Sequence, residues 1–272
     1  MDMNQVHREC VFQLRAFTES IGCKEVIVGL SGGLDSSVTA ALCVDAFGAS
    51  RVHGVLMPGP FSSDHSLTDA HDLAERLGIE TRTFSIKEPF LAFEQEFCRA
   101  YGEELAGLAA ENSQARCRMI VLMALSNQYG WMVVNTGNKS EAMMGYSTLY
   151  GDTAGAYAPL GGLYKTHVFE LAEWMNQQAR VAGQVEPIPQ HVIDKPPSAE
   201  LSAGQEDEKS LGVSYKLLDQ ILIRLVEREM SVQEVAAEGF DAAEVERIEK
   251  TMRSYAFKRA LEPPYPSAGF YR

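Results

Sequence analysis

From Val26 to Ala40 the chain reads Val-Ile-Val-Gly-Leu-Ser-Gly-Gly-Leu-Asp-Ser-Ser-Val-Thr-Ala. Three stiff β-formers, Val26, Ile27 and Val28, run into a glycine pair, Gly32 and Gly33, that turns tightly without a Cβ clash. Asp35 to Leu42 then has the apolar content of a helix opening. A strand, a loop and a helix N-terminus in that order gather unpaired backbone N–H groups and the positive end of a helix dipole at one point, which suits a phosphate. The lysine of a G-x-x-x-x-G-K-[ST] loop is absent. A carboxylate beside such amides repels a phosphate unless a cation lies between them, so Asp35 reads as a Mg²⁺ ligand, with a plain helix cap as the alternative.

Ser31-Gly-Gly-Leu-Asp-Ser-Ser37 resembles the pyrophosphate loop, S-G-G-x-D-S, of ATP pyrophosphatases, which cut ATP between its α and β phosphates to adenylate a substrate. The rest of the composition narrows the class. With 272 residues, the length fits one α/β domain with an elaborated end. A formal charge of −13 argues against a groove that neutralises many nucleic-acid phosphates. No apolar run approaches eighteen residues and no leader pattern is visible, so neither a membrane span nor secretion is expected, and the cytoplasm is the default. Five cysteines without C-x-x-C spacing read as buried free thiols, and six histidines form no H-E-x-x-H cluster.

The patterning predicts helix over Gln5–Ser20, strand at Val26–Val28, a helix after the loop, and strand at Arg51–Met57. Next come a helix opening at Ser66 in a capping box with Asp69, a strand at Glu80–Ile86, helices at Glu88–Ala110 and Glu111–Gln128, and strand at Trp131–Asn135. Strands alternating with helices imply a parallel sheet with ligands beyond its C-terminal strand ends. A helix is expected over Thr166–Ala179. The Pro-rich, polar stretch 183–212 reads as a lid or disordered segment. Helices at Tyr215–Glu229, Ser231–Glu238 and Asp241–Lys258 close the chain, the last two opening in capping boxes with Glu234 and Glu244. Read as a helix-turn-helix, this end would present Glu244, Glu246 and Glu249 to DNA, which phosphates repel.

Six further motifs follow the loop: Glu111-Asn-Ser-Gln-Ala-Arg-Cys-Arg118, Asn135-Thr-Gly-Asn-Lys-Ser-Glu141, Gly145-Tyr-Ser-Thr-Leu-Tyr-Gly-Asp152, Lys165-Thr166, Pro197-Ser-Ala-Glu-Leu201 and Gln205-Glu-Asp-Glu208. In the same order they resemble motifs of NAD synthetases, and with the loop the resemblance covers nearly the whole chain. It implies an α/β fold of the adenine nucleotide alpha hydrolase type: a doubly wound, mainly parallel sheet with flanking helices and a helical C-terminal extension. A single domain is expected, with a nucleotide-binding core over 1–182, a mobile lid over 183–212 and C-terminal helices over 213–272. The implied reaction activates the nicotinate carboxylate of deamido-NAD on the α-phosphate of ATP, releases pyrophosphate, and lets ammonia displace AMP to give NAD. Mg²⁺ is the implied cofactor and ATP a co-substrate; a homodimer is the implied assembly.

Residue by residue, the resemblance assigns ATP to Gly29, Leu30, Ser31, Gly32, Gly33, Leu34, Asp35, Ser36 and Ser37, and to Thr136, Lys165 and Ser198. It assigns metal to Asp35 and Glu141, and deamido-NAD to Arg116, Glu141, Asp152 and Lys258; Asp35 and Lys165 carry the catalytic weight. Arg116 shares a helical stripe with Asn112, Met119 and Met123, which points it toward the core, against the alternative of a solvated charge. Lys165 stands just before a helix whose dipole it opposes, a placement that a bound phosphate would reverse in sign, whereas a free surface lysine is the plainer alternative.

Leu149 and Thr136-Gly-Asn depart from the pattern of some ammonia-using synthetases, and Gly137-Asn-Lys-Ser-Glu141 looks more like the synthetase half of glutamine-dependent enzymes. No cysteine stands beside a His and Glu pair as a glutaminase nucleophile would, and only a short helix and one strand precede the loop. Free ammonia is therefore the expected nitrogen donor, with a separate glutaminase as a possible partner. The rival readings are another pyrophosphate-loop enzyme, such as a GMP synthetase or tRNA-modifying relative, and a non-catalytic adenine-nucleotide sensor. For the dimer interface, the Glu88–Gln128 helices offer Phe90, Phe93 and Phe97 as exposed-looking candidates.

Overall fold

The computed structural model describes residues 1–266. The last six residues of the expected 213–272 unit lie outside the described residues. Helix α1 (Met3–Ser20) precedes β1 (Val26–Gly29), which feeds α2 (Leu34–Phe47) through the serine–glycine loop. Then come β2 (Val52–Leu56), α3 (Asp64–Leu77), β3 (Glu80–Thr83), α4 (Lys87–Tyr101), α5 (Gly107–Tyr129) and β4 (Met132–Val133). The sheet has the order β3-β2-β1-β4, and every pairing is parallel.

Alternation along the strands sends side chains to two separate cores. Val26, Val28, Val52, Leu56, Met132 and Val134 pack under α1, α2, α3 and α7 (Lys165–Val181) on one face. Ile27, Val55 and Val133 meet Met119, Val121 and Leu122 of α5 on the other. Helices thus cover both faces, as a parallel sheet buried on each side requires. The strand order reverses between β1 and β4, so the loop after β1 and the segment after β4 open a crevice between them.

The C-terminal part builds a third cluster from α6 (Lys139–Met144), α10 (Tyr215–Leu222), α11 (Val232–Ala237) and α12 (Ala242–Ser254), followed by a short α13 (Ala256–Arg259). A π turn over Ile223–Glu227 interrupts what the pattern suggests is one helix to Glu229. Glu227 in that turn accepts hydrogen bonds from Lys139 Nζ at 2.5 Å and Tyr164 OH at 2.8 Å, tying the turn to α6 and to the residue that precedes α7.

Several boundaries differ from the pattern. Helix α3 starts earlier than Ser66, because Ser63 is the cap, its Oγ accepting from Ser66 N at 3.1 Å. The expected Glu88–Ala110 helix breaks after Tyr101, where Gly102 adopts a left-handed conformation. The Ser231/Glu234 capping box is present in full. Asp241 caps α12, but Glu244 turns its carboxylate to Arg247 and the reciprocal half of that box is missing. The stretch 183–212 carries two short helices, α8 (Gln190–Asp194) and α9 (Asp207–Leu211). Phe90 is 3% exposed and so is not a surface residue, and of the cysteines Cys10 and Cys43 are buried as expected whereas Cys98 is exposed on α4. Among the described residues, no helix is long and apolar enough to cross a membrane.

Candidate active site

A cleft of about 340 Å³ opens at the crevice between β1 and β4. The phosphate loop forms one wall. Gly32 has φ +77°, and a Cβ there would stand 2.1 Å from the Ser66 carbonyl oxygen, so only glycine lets the loop rest on α3. Inside the loop, Ser31 and Ser36 hydroxyls pair at 3.0 Å, Gly33 N donates to Ser31 Oγ at 3.1 Å, and Ser37 Oγ donates to the Gly33 carbonyl at 2.8 Å. No side chain caps α2, whose first residues, Leu34, Asp35 and Ser36, line the cleft. Its leading amides therefore face the space where an anion would lie.

Asp35 is not a helix cap. One of its oxygens accepts from Asn138 Nδ2 at 2.9 Å, and the other is bonded to the Lys165 ammonium. Asn138 reaches this point as the N-cap of α6, where its own Oδ1 accepts from Glu141 N at 3.0 Å. Lys165 Nζ also contacts Glu141 Oε1 at 3.1 Å, so a single ammonium bridges both carboxylates expected to hold metal. Lys165 is only 2% exposed and is the first residue of α7. A free surface lysine is thus ruled out, and the charge that offsets the unfavourable helix dipole comes from acids of the protein itself.

The surrounding groups hold this lysine in place. Ser140 Oγ accepts from Lys165 N at 2.8 Å and donates to Asp219 Oδ1 at 2.5 Å, while Asp219 Oδ2 accepts from Thr166 N at 2.8 Å. Burial works against the ammonium, but Asp35, Glu141 and Asp207 outweigh it and hold its pKa above the ordinary value. For Glu141, burial dominates and the nearby acids add to it, against the pull of Lys165, so its carboxyl is pushed up to about 8. Asp207 is buried and likewise raised by desolvation, with Tyr146 OH and Tyr215 OH donating to it at 3.2 and 3.3 Å.

Of the remaining expected residues, Gly29, Leu30, Thr136, Asp152 and Ser198 line the cleft, whereas Gly32 and Ser37 support the loop from behind. Ser198 Oγ donates to the Gln205 carbonyl at 2.5 Å. Asp152 accepts from Thr148 N at 2.5 Å and is an exposed residue of the cleft wall. Lys258 lies outside the cleft and donates to the carbonyls of Gly145 and Ser147 at 2.7 and 2.5 Å, tying down the loop that ends at Asp152.

Arg116 corrects the stripe argument. It is exposed, off the cleft wall, and donates to the Leu149 carbonyl at 3.1 Å. The stripe runs along the border of the buried face, where Met119 is buried but Met123 is 41% exposed. Arg118 is the arginine on the cleft wall, donating to the Met57 carbonyl at 3.1 Å. Asn138, Asp207 and Lys195 also belong to the site, and pattern reading missed them. Asn138 and Asp207 stood inside quoted motifs, but only the fold shows them meeting Asp35 and Lys165.

Among the described residues, no group of three or more His, Cys, Asp or Glu is arranged to hold a metal. Mg²⁺ needs fewer protein ligands, one or two carboxylates completed by phosphates and water, and the hard oxygens of Asp35 and Glu141 fit that requirement.

The crevice at a strand-order reversal is where doubly wound sheets receive nucleotides, and this one presents uncapped helix amides and a buried ammonium to an entering phosphate. The molecule is of the nucleotide-binding α/β class. A family model described as NAD synthase matches residues 6–262, and the chain belongs to that family. It is 44% identical over 97% of its length to a glutamine-dependent NAD(+) synthetase of Rhodobacter capsulatus and 40% identical over 94% to one of Thermotoga maritima, covering 48% and 43% of those proteins. The chain thus spans about half the length of the curated relatives it matches.

Among solved structures, it resembles an NMN synthetase from Francisella tularensis at 30% identity and TM-score 0.79, covering 95% of this chain and 96% of that one. It also resembles an NH3-dependent NAD synthetase from Campylobacter jejuni at 27% identity and TM-score 0.74, with the same two coverages.

Proposed function

We propose that this chain amidates deamido-NAD to NAD at the expense of ATP. The observation that carries the reading is the Lys165 bridge between Asp35 and Glu141, set against the phosphate loop at the sheet's reversal point in a chain of this family. In this reading the nicotinate carboxylate attacks the α-phosphate of ATP, pyrophosphate leaves, and ammonia then displaces AMP from the acyl carbon. Negative charge gathers on the departing pyrophosphate. Loop amides and the Lys165 ammonium are fixed before it forms, which is the form of stabilisation that costs least reorganisation. Asp35 and Glu141 would hold Mg²⁺, which supplies further positive charge to the phosphates.

Arg116, Asp152 and Lys258 are proposed for the dinucleotide, with Lys258 acting by fixing the Gly145–Asp152 loop and Arg116 from outside the cleft. The stretch 183–212 is proposed as a lid that shields the acyl adenylate from water. Its test is release of pyrophosphate from ATP only when deamido-NAD is supplied. Pyrophosphate release without it, or none at all, would reject the reading. The likeness to an NMN synthetase over nearly both full chains favours a second acceptor, nicotinate mononucleotide, and the same assay with that compound decides between them.

Ammonia is the proposed nitrogen donor, free or delivered by a glutaminase. Paired assays with ammonium and with ammonia-free glutamine distinguish these, and equal rates would overturn the claim for this chain alone.

A further inference from the structure

Lys195 lines the same cleft as Lys165 but is held by a different element. Its Nζ bonds Asp69 Oδ2 at 2.7 Å and lies 3.5 Å from Ser66 Oγ, both on α3. Ser66 is the residue against which the phosphate loop rests at Gly32, so the ammonium is anchored at the foot of that loop. Asp69 is 6% exposed and also pairs with His191 at 2.9 Å. Glu200, at the other end of the stretch, takes hydrogen bonds from Ser63 N, Ser63 Oγ and Ser66 Oγ at 3.2, 2.8 and 2.8 Å. It does so with φ +49°, a conformation a side-chain-bearing residue keeps only when its surroundings enforce it. Both ends of Lys195–Glu200 are therefore fastened to the first turns of α3.

Charge explains why such an anchored cation matters. The described cleft wall carries three cations, Arg118, Lys165 and Lys195, against six carboxylates. Lys165 shares its charge with two of those acids, and Arg118 spends only one of its five N–H donors on a backbone carbonyl, so the cations on this wall remain fewer than its acids. A polyphosphate entering this wall meets a deficit of positive charge. An ammonium has three donors, and Asp69 and Ser66 take at most two from Lys195.

We infer that Lys195 is a second phosphate-binding residue of this site, contacting the terminal phosphates of the nucleotide and the pyrophosphate that leaves. The inference rests on the adenylating function proposed above. Calorimetric titration of the full chain with inorganic pyrophosphate, and separately with ATP, tests it. Lys195→Met is expected to weaken pyrophosphate binding about ten- to hundredfold, as loss of a charge-assisted contact does, with Lys195→Arg recovering most of it. Thermal melting of each variant confirms that it is folded.

Asp69→Asn separates a ligand from a structural clip. A phosphate-binding lysine released from its carboxylate binds pyrophosphate at least as tightly, whereas a clip broken at either end weakens binding equally. Equal weakening, or wild-type affinity in Lys195→Met, overturns the inference and leaves the adenylating function standing. Failure of the unmodified chain to bind either ATP or pyrophosphate overturns both.

Discussion

Asp35 sends one oxygen to Asn138 and the other to Lys165, and neither bond caps a helix. Asp35→Asn should therefore leave α2 formed, since α2 already starts without a side-chain cap, and should lower turnover by several orders of magnitude. Steady-state rates on a variant with unchanged circular dichroism check this, and a near-normal rate would count against a catalytic role. Glu141 carries a pH signature. Its carboxyl, pushed from 4.5 to about 8, binds its proton more tightly in the folded protein than in the unfolded chain. That contribution to stability is complete below pH about 4.5 and is lost as pH rises through about 8. Urea unfolding across this window should show stability falling with pH, and Glu141→Gln should flatten the fall. Buried Asp207 and Asp219, both raised by desolvation, act in the same direction and keep part of the slope.

At the scale of elements, the segment 183–212 is not held uniformly. Asn176 of α7 is fully buried and grips Ile188 twice, donating to its carbonyl at 2.7 Å and accepting from its N–H at 2.9 Å. Asn176→Ala strands two buried backbone groups and should cost about 2–4 kcal/mol, read from the urea midpoint. Beyond this anchor Val192 and Ile193 are still buried in the main core, and from Lys195 on the chain is fastened near the cleft through Lys195, Ser198, Glu200 and Gln205 and through the Leu201 carbonyl, which accepts from Gln114. Hydrogen exchange should find the start of the segment near Ile188 protected with or without ligand. Residues around 198–207 should become protected only with ATP and deamido-NAD together. Identical exchange of 198–207 in both states would refute the lid.

For the whole molecule, α5 presents Leu108, Ile120 and Met123 to solvent, with Ile120 69% exposed, while on α4 Phe93 is exposed and Phe97 half-buried. Leu108, Ile120 and Met123 fall within one third of the circumference of α5, and we propose this arc as the contact of the homodimer that the family resemblance implies. Sedimentation at micromolar concentration should give a dimer, and Ile120→Glu should shift it toward monomer. A monomer for the unmodified chain would reject this interface. Phe90 takes no part, because it packs inward.

Much of the architecture was legible because its causes are local. Val26–Val28, the Gly32–Gly33 turn and the helix after it are consecutive residues, and β-branching, glycine freedom and apolar runs act over a few positions. The alternation of strands and helices likewise implied a parallel sheet with its ligand at the strand ends. The strand order, the reversal between β1 and β4 and the two-faced core depend on contacts across the chain, to which local pattern is blind. The site shows the same division. Asp35, Glu141 and Lys165 were readable as chemistry-bearing residues, but that one ammonium bridges both acids follows only from folding residues 24 and 130 positions apart onto one crevice. Arg116 and Arg118 differ by two positions on one helix, a rotation of about 200°. Periodicity placed the wrong one inward; the Met57 carbonyl just past β2 and the cleft wall receive Arg118 instead.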